Sequence, residues 1–317
     1  MTRKIVILDS LTTTTDHAVW EPLRRFGEVV IYETSASSDV APRLADAWAV
    51  LTNKAAITGA DIAAAPQLRY IGVLATGYNI IDLEAAARAG VIVSNVPAYS
   101  SDSVAQMAFA LLLELTNHVA LHNESVRSGE WGRCESFTYR LRSLAELAGK
   151  TMGVVGYGGI GSRIGEIARA FGMNVATNSH RDDVPPYVER MDLDELLRCS
   201  DVLSLNTALT PERYHMIDAR ALSLMKPTAL LINTARGGLV DSEALAAALR
   251  EGRIAGAGLD VLEQEPPRDG SPLIGCPNCV ITPHIAWQSN EAIARLLRIS
   301  EENLEAFAAG APRNVVS

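Results

Sequence analysis

A glycine-rich run near the middle of the chain, Gly156-Tyr157-Gly158-Gly159-Ile160-Gly161, places the strongest constraint on the fold. Thr151–Val155 before it has the pattern of a buried strand, and residues 162–171 after it have that of a helix. In this setting the first glycine permits a tight turn, the second lets the backbone approach a pyrophosphate, and the third allows close helix–strand packing. The helix N-terminus adds unpaired N–H groups for the anion. The run therefore predicts a dinucleotide-binding unit, whereas without this context it would be an ordinary glycine-rich turn.

Short β-branched runs alternate with Ala- and Leu-rich stretches twice along the chain. This alternation is typical of parallel sheets covered by helices, and the length of 317 residues favours two such domains. The first predicted series of strands is Ile5–Leu8, Glu28–Tyr32, Ala49–Thr52, Tyr70–Leu74 and Val91–Ser94. The second is Gly153–Val155, Asn174–Thr177, Val202–Leu205, Ala229–Asn233, Gly256–Leu259 and Val280–Thr282. The six strands of the second series are the number in a full dinucleotide-binding fold.

Between the two series, the sequence predicts a hinge helix followed by an arm. Ser101-Asp102-Ser103 can cap a helix from Val104 to about Asn117, and residues 118–147 carry no strand pattern. A last helix over Asn290–Phe307, with apolar residues at helical spacing, is expected to pack on the first domain.

The composition excludes several classes of protein. With 48% hydrophobic residues the chain can bury a core, so a disordered chain is excluded. A net charge of -9 and a pI near 5.2 argue against nucleic-acid and anionic-membrane partners, which attract basic surfaces. The longest apolar stretch, Val104–Leu115, is too short to span a bilayer, and the N-terminus does not read as a signal peptide. We therefore expect a cytoplasmic enzyme.

Neither a disulfide framework nor a metal site is indicated by the cysteines and histidines. Cys276-Pro277-Asn278-Cys279 has the spacing of a redox pair or half of a zinc site, but it lies in a Pro-rich turn and no second pair follows. Cys134 and Cys199 stand alone. His118 and His122 lie one helical turn apart without a nearby third ligand. Reduced cysteines and no bound metal are the favoured interpretation.

Three later stretches resemble the D-isomer-specific 2-hydroxyacid dehydrogenases, and among them most closely the glycerate dehydrogenases, or hydroxypyruvate reductases. They are Asn233–Asp241, Leu259-Asp260-Val261 with Glu265-Pro266, and Thr282–Trp287. The resemblance extends to Leu74–Asn79 and Ser103–Gln106. It implies two Rossmann-like, doubly wound parallel-sheet α/β domains with an active-site cleft between them. The substrate-binding domain would comprise residues 1–98 and 287–317, and the dinucleotide-binding domain residues 99–286, including the hinge helix and a dimerisation arm.

The resemblance also implies the catalytic set: Arg236, Glu265 and His284. Reduction of a 2-keto acid needs a hydride, a proton for the developing alkoxide and a cation for the carboxylate. His284 can donate the proton, with Glu265 as its partner in a relay, and the forked guanidinium of Arg236 suits the substrate carboxylate and ketone oxygen. The family's carboxylate cradle maps onto backbone N–H groups at Ala75, Thr76 and Gly77. Trp287 either shapes the substrate pocket or packs at a domain junction.

The expected cofactor position departs from the NAD pattern. NAD-specific domains place an acid about 20 residues past the glycines, to bind the ribose hydroxyls. Here Ser179, His180 and Arg181 occupy that region, so a 2′-phosphate would meet a hydroxyl and a cation. We favour NADP; NAD stays possible if Arg181 points into solvent and Asp182 or Asp183 binds the ribose. Further cofactor contacts implied by the family are Thr207, Thr234, Ala235 and Asp260, while Ala208 replaces the proline common in the adenine-lining loop.

Two functions from different classes remain open. The first is an NAD(P)-dependent reductase of hydroxypyruvate, glyoxylate or a similar 2-keto acid. The second is a dinucleotide-sensing, corepressor-like interaction protein, because such relatives keep the fold and the Arg-Glu-His trio. The lack of a basic patch favours the enzyme, and Glu265 disfavours formate as a substrate. The resemblance further implies a homodimer. The arm carries the apolar residues Trp131, Phe137, Tyr139, Leu141 and Leu144 without a sheet pattern to bury them, which predicts that it forms much of the interface, with Trp131 as a buried anchor; the alternative is that they pack onto their own nucleotide-binding domain.

Overall fold

The computed structural model of the protein describes residues 3–317 and consists of two compact units. One unit contains the chain up to Ser100 together with Gln288–Ser317, and the other contains Ser101–Trp287. Each unit has its own sheet, and all strand pairs in both sheets are parallel. The two parallel-sheet α/β domains predicted from the sequence are thus confirmed.

The first unit is built on a five-stranded sheet. Its strands are β1 (Lys4–Ile7), β2 (Glu28–Ile31), β3 (Ala49–Thr52), β4 (Tyr70–Val73) and β5 (Ile92–Ser94). Its helices up to Ser100 are α1 (Ser37–Leu44), α2 (Gly59–Ala63) and α3 (Leu83–Arg88), with 3-10 helices at Ser10–Thr12 and His17–Phe26. The strands lie in the order β2-β1-β3-β4-β5. Ile5, Val6 and Ile7 of β1 are fully buried, because an inner strand of a parallel sheet is covered on both faces.

The second unit is built on a seven-stranded sheet. Its helices are α4 (Ser101–Asn117), α5 (Val119–Arg127), α6 (Glu130–Arg133), α7 (Gly159–Ala170), α8 (Leu193–Cys199), α9 (Ala219–Leu224) and α10 (Ser242–Arg250). Its strands are β6 (Thr151–Val155), β7 (Asn174–Thr177), β8 (Glu189–Arg190), β9 (Val202–Leu205), β10 (Leu230–Asn233), β11 (Gly256–Leu259) and β12 (Cys279–Ile281). Two 3-10 helices are Pro211–Arg213 and Gly237–Leu239. The strand order is β12-β11-β10-β9-β6-β7-β8.

The prediction of six strands in this unit was short by one. The additional strand, β8, has only two residues and pairs with the end of β7 at the edge of the sheet. Both of its side chains are charged and exposed. No β-branched run marks it, so hydrophobic patterning could not reveal it.

Helix α4 is a core helix of the second unit. It packs on α7, β10 and β11, and it buries Phe109, Leu111 and Leu112. It begins at Ser101, three residues before the predicted start. Among residues 3–317 no single helix is long and apolar enough to cross a membrane, although α4 and α5, bent by 58°, pass that test of length and composition when counted together.

The C-terminal helix α11 (Asn290–Ala308) belongs to the first unit, as predicted. The Ser289 side chain caps it by accepting a hydrogen bond from the Ala292 backbone N–H. Leu296 and Leu304 are fully buried, and the Phe307 ring stacks on Tyr70 of β4 at 4.8 Å between centroids. These contacts hold the C-terminal segment against the sheet formed by the N-terminal one.

Candidate active site

In the second unit, a glycine and several polar residues directly follow the carboxyl ends of the strands. Gly156 follows β6, Asn206 follows β9, Thr234 follows β10, Asp260 follows β11 and Thr282 follows β12. In a parallel sheet these ends meet at one edge, where open α/β folds bind their ligands. Residues far apart in the sequence therefore converge at that edge.

His284 and Glu265 form a hydrogen-bonded pair. The imidazole Nδ1 lies 2.6 Å from Glu265 Oε2, and the side chains are 24% and 35% exposed. The other carboxylate oxygen, Oε1, accepts a hydrogen bond from the Leu262 backbone N–H at 2.8 Å. An ionised carboxylate can only accept, so Nδ1 carries the hydrogen of this contact and Nε2 is left to exchange a proton with a substrate.

The loop that carries His284 is organised by the buried carboxylate of Asp260, which is 1% exposed. Asp260 Oδ1 accepts from Thr282 Oγ1 at 2.6 Å and from the Ile285 N–H at 3.0 Å, and Oδ2 accepts from the Ala286 N–H at 2.8 Å. Burial raises the pKa of this carboxyl above its usual value, although the three hydrogen bonds oppose the shift. The family resemblance implies a cofactor contact for Asp260, and this stays a prediction; in the structure its carboxylate holds the His284 loop, a role that no sequence motif revealed.

The same loop is supported on its other side by α4. Ser103 Oγ donates a hydrogen bond to the Ala286 carbonyl at 2.6 Å. His284 itself has a left-handed backbone, with φ of 57°, and its N–H donates to the Asp260 carbonyl at 2.8 Å. For a non-glycine residue this conformation is uncommon and persists where the surroundings fix it. The loop therefore holds the imidazole in one orientation.

Arg236 lies in the turn after β10, with an exposed side chain. Its Nη1 donates to the Ala235 carbonyl at 2.7 Å, and no ion pair within residues 3–317 engages its guanidinium. The buried side chain of Asn233 shapes the turn: Nδ2 donates to the Arg236 carbonyl at 2.9 Å, and Oδ1 accepts from the Ala235 N–H at 3.0 Å. The guanidinium is thus available to bind an anionic ligand.

A close backbone contact joins the Arg236 turn to the segment that carries Glu265. A Cβ added to Gly237 would overlap the carbonyl group of Leu262, so only glycine fits there. Leu262 is also the residue whose N–H binds Glu265. Arg236, Glu265 and His284, predicted as one catalytic set, are therefore linked through Leu262 within this unit.

The glycine run has the geometry that a pyrophosphate requires. Gly156 has φ of 86°, and a Cβ there would lie 2.7 Å from the Asn206 carbonyl oxygen and 3.1 Å from Thr207 Cβ. A Cβ on Gly161 would overlap the Gly156 carbonyl oxygen. Helix α7 begins at Gly159 with Gly158 as its N-cap and no side-chain cap, so its first N–H groups remain open to an anion.

Two buried polar atoms at strand ends of the seven-stranded sheet lack a protein partner among the described residues: Asn206 Oδ1 after β9 and Thr234 Oγ1 after β10. Buried polar atoms are normally hydrogen-bonded, so these two suit a polar ligand at the strand ends. The residues present therefore fit a dinucleotide. Asn206 was not among the predicted site residues, because an asparagine at the end of a strand gives no motif of its own.

The side chains within the run differ in their surroundings. Tyr157 is 4% exposed and packs with its hydroxyl where a Cβ of Gly165 would lie, so its ring supports α7. Ile160 packs against the core between α4 and the sheet. Only the backbone of these two residues shares the geometry of the phosphate-binding turn.

At the predicted ribose position the structure pairs Arg181 with Asp183. Guanidinium Nε and Nη2 donate to the two Asp183 oxygens at 2.8 Å and 2.6 Å, and both side chains are more than half exposed. The Arg181 guanidinium holds the pKa of the Asp183 carboxyl below its usual value. Ser179 Oγ lies 3.4 Å from the Arg181 backbone N–H, and His180 is exposed. The Arg181 guanidinium is thus solvent-exposed but engaged in an ion pair with Asp183.

The remaining predicted site residues are Ala75, Thr76 and Gly77 of the first unit and Trp287 of the second. Thr76 Oγ1 donates to the Val96 carbonyl at 3.0 Å, and its own carbonyl accepts from Asn95 Nδ2 at 2.7 Å. These bonds fix the loop after β4. The Trp287 side chain is buried, at 7% exposure.

Known proteins are similar to this chain over its whole length. Residues 109–286 match the family model described as D-isomer specific 2-hydroxyacid dehydrogenase, NAD binding domain. A hydroxypyruvate reductase of Blautia hydrogenotrophica is 40% identical over 99% of both chains, and a glycerate dehydrogenase of Methylorubrum extorquens is 39% identical over 100% of this chain and 99% of its own. Among solved structures, an acyclic imino acid reductase in complex with NADPH and D-Arg matches with a TM-score of 0.89 and 32% identity, over 99% of this chain and 100% of the other.

Proposed function

Because this chain belongs to the family of D-isomer specific 2-hydroxyacid dehydrogenases, we propose that it reduces a small 2-keto acid of the hydroxypyruvate or glyoxylate type to the D-2-hydroxy acid. Members of this family are oxidoreductases that act on CH–OH groups. The observation that carries the proposal is the 2.6 Å contact between His284 Nδ1 and Glu265 Oε2. Such a pair supplies the proton that ketone reduction requires.

Each member of the catalytic set has a distinct task in the proposed reaction. A bound reduced nicotinamide supplies the hydride. His284 Nε2 gives a proton to the alkoxide oxygen, and the Glu265 carboxylate stabilises and orients the imidazolium. Arg236 holds the substrate carboxylate through parallel N–H donors. We propose the backbone N–H groups of Ala75, Thr76 and Gly77 as further carboxylate donors, and Trp287 as a determinant of the substrate pocket.

A panel of 2-keto acids assayed with NADH and NADPH tests this function. Oxidation of the cofactor that depends on hydroxypyruvate or glyoxylate supports it, and a panel without turnover rejects it. The relatives named above are enzymes, which gives no support to the corepressor-like alternative.

For the cofactor we propose NADP as the preferred form. The residues at the ribose position include a hydroxyl, Ser179, and a cation, Arg181. The Arg181–Asp183 pair is solvent-exposed, and exposed pairs contribute only about 0–1 kcal/mol, so a 2′-phosphate can displace the carboxylate at small cost.

Arg181→Ala is expected to raise the Michaelis constant for NADPH by about 10- to 100-fold, because a charge-assisted contact of about 1.5–3 kcal/mol is lost. The Michaelis constant for NADH should change little. Asp183→Asn is expected to have the opposite effect on NADPH, since it frees the guanidinium. Steady-state kinetics with both cofactors measure these effects. Asp194→Asn, which breaks the exposed pair with Arg220, is the matched control. A wild-type preference for NADH, or equal losses for both cofactors in Arg181→Ala, contradicts the assignment.

We also propose that the chain forms a homodimer through the arm, residues 118–147. Seven large apolar side chains of this segment are exposed in the single chain: Val119, Leu121, Val126, Trp131, Phe137, Leu141 and Leu144. Trp131 is 51% exposed and Phe137 is 88% exposed, and the indole Nε1 donates to the Phe137 carbonyl at 3.0 Å. So many exposed apolar side chains in one segment suit burial against a second copy of the same segment.

Trp131→Glu is expected to shift the protein from dimer to monomer, because a charge replaces an apolar anchor at the interface. Light scattering at several protein concentrations measures the shift. Ile274→Glu, at a residue with 57% exposure outside the arm, is the matched control and should leave the mass unchanged. A wild-type monomer, or equal behaviour of the two variants, contradicts the interface.

A further inference from the structure

A polar cluster in the second unit joins the segments that carry Arg236 and Glu265. It consists of Tyr214, His215 and Glu263: the Tyr214 hydroxyl lies 2.9 Å and His215 Nε2 lies 2.6 Å from the same oxygen, Glu263 Oε1. The Tyr214 and His215 rings stack with centroids 3.9 Å apart. The sequence motifs assigned no role to any of the three.

On one side, the cluster is tied to the turn that follows Arg236. The His215 N–H donates to the Gly238 carbonyl at 2.8 Å, and the Ile217 N–H donates to the Leu239 carbonyl at 3.0 Å. A Cβ added to Gly238 would lie 3.4 Å from the Tyr214 ring, so the ring packs directly against the turn. Residues 214–217 therefore run alongside the turn and are held to it by backbone bonds.

On the other side, Glu263 directly follows Leu262. The Leu262 carbonyl packs against Gly237, and the Leu262 N–H binds Glu265 Oε1 at 2.8 Å. A displacement of Glu263 would therefore also move Leu262, whose N–H holds the Glu265 carboxylate. Since Glu265 orients His284, it must also disturb the imidazole.

The Glu263 carboxylate is well suited to act as a fixed link. Burial raises its pKa, but hydrogen bonds from His215, Ser242 and Tyr214 outweigh this, and its pKa lies below the usual value. It is therefore a charged acceptor held from several directions. Charge-assisted hydrogen bonds of this type are shorter and stronger than neutral ones.

We propose that His215 and Glu263 are positioning residues that set the spacing between Arg236 and the Glu265–His284 pair. This inference rests on the proposed function. Keeping a reacting group in place matters because a displacement of about 1 Å can cost about 100-fold in rate. We call the His215–Glu263 pair the clamp. It acts on the active site through its contacts with the Arg236 turn and with Leu262.

Glu263→Leu and Glu263→Gln form the central test. Leucine removes the acceptor, and we expect kcat/KM for the keto acid to fall by about 10- to 100-fold. Glutamine keeps an acceptor oxygen and should restore most of the activity. The dissociation constant for the reduced cofactor, measured by fluorescence without substrate, should stay unchanged in both variants. Glu251→Leu, which removes an exposed partner of Arg253, is the matched control.

A second readout is independent of turnover. The imidazole signal of His284 in 15N-labelled protein, identified by its loss in His284→Ala, should shift in Glu263→Leu and stay in place in Glu263→Gln. If Glu263→Leu does not fold, His215→Asn carries the same test, because asparagine tolerates the left-handed φ of 54° but is too short to reach Glu263.

The outcomes separate the clamp from the proposed function. If the wild type is inactive, the proposed function is rejected. The shift of the His284 imidazole signal in Glu263→Leu then still shows whether Glu263 positions that imidazole. An active wild type with unchanged kinetics and an unshifted signal in Glu263→Leu overturns the clamp. A loss of cofactor binding in parallel with kcat/KM also overturns it, because a general structural defect would then account for the loss.

Discussion

Replacing His284 with alanine is expected to lower turnover of a 2-keto acid by about 10²- to 10⁴-fold, the usual contribution of a positioned acid–base group. The imidazole is the group that Glu265 holds at 2.6 Å, and Nε2 is its only nitrogen left for the substrate. The affinity for the cofactor should stay unchanged, because His284 takes no part in the glycine run or in the unpartnered polar atoms Asn206 Oδ1 and Thr234 Oγ1. Steady-state kinetics in both directions and cofactor titration measure the two effects.

The matched control is His118→Asn. His118 lies in the arm and has a left-handed backbone with φ of 49°, which asparagine tolerates. Its turnover should equal that of the wild type. Near-normal turnover in His284→Ala would remove this residue from the role of proton donor.

Arg236→Lys is expected to lower kcat/KM for the keto acid by about 10- to 100-fold, although the charge is kept. Lysine lacks the planar fork that binds a carboxylate through two parallel hydrogen bonds, and one such charge-assisted bond contributes about 1.5–3 kcal/mol. Comparison of the Michaelis constant with kcat shows whether the guanidinium acts in substrate binding or also in the transition state.

Arg253→Lys serves as the control, because it makes the same change in an exposed pair with Glu251. An unchanged kcat/KM in Arg236→Lys would show that the two parallel hydrogen bonds of the guanidinium do not bind the substrate, because lysine keeps only the charge.

The fold could be predicted largely from the sequence because buried parallel strands appear as short, mainly apolar runs of Val, Ile and Leu. Val202–Leu205 is an example, predicted and observed with the same bounds. The exposed edge strand Glu189–Arg190 escaped prediction, since two charged residues carry no hydrophobic signal. Helix α4 was placed too late because Ser101-Asp102-Ser103, taken as a cap, forms its first turn.

The proposed catalytic residues Arg236, Glu265 and His284 could be identified from motifs, but the contacts that hold them in place could not. Gly237 looks like any glycine in the sequence until Leu262 is packed against it. The same holds for Asp260, whose carboxylate binds a loop more than 20 residues later in the chain. Such contacts depend on tertiary structure, which local patterns do not contain. The Arg181–Asp183 pair likewise emerges only from the folded chain, and the sequence had left the two residues as alternatives for the ribose.

The central claim is that this chain transfers a hydride to a 2-keto acid and delivers the proton from His284. Incubation of the wild type with hydroxypyruvate and reduced cofactor, followed by chiral separation of the product, tests it most directly. We expect D-glycerate in an amount equal to the cofactor oxidised, and almost none with His284→Ala. Formation of L-glycerate, or D-glycerate formed equally well by the His284→Ala variant, would contradict the claim.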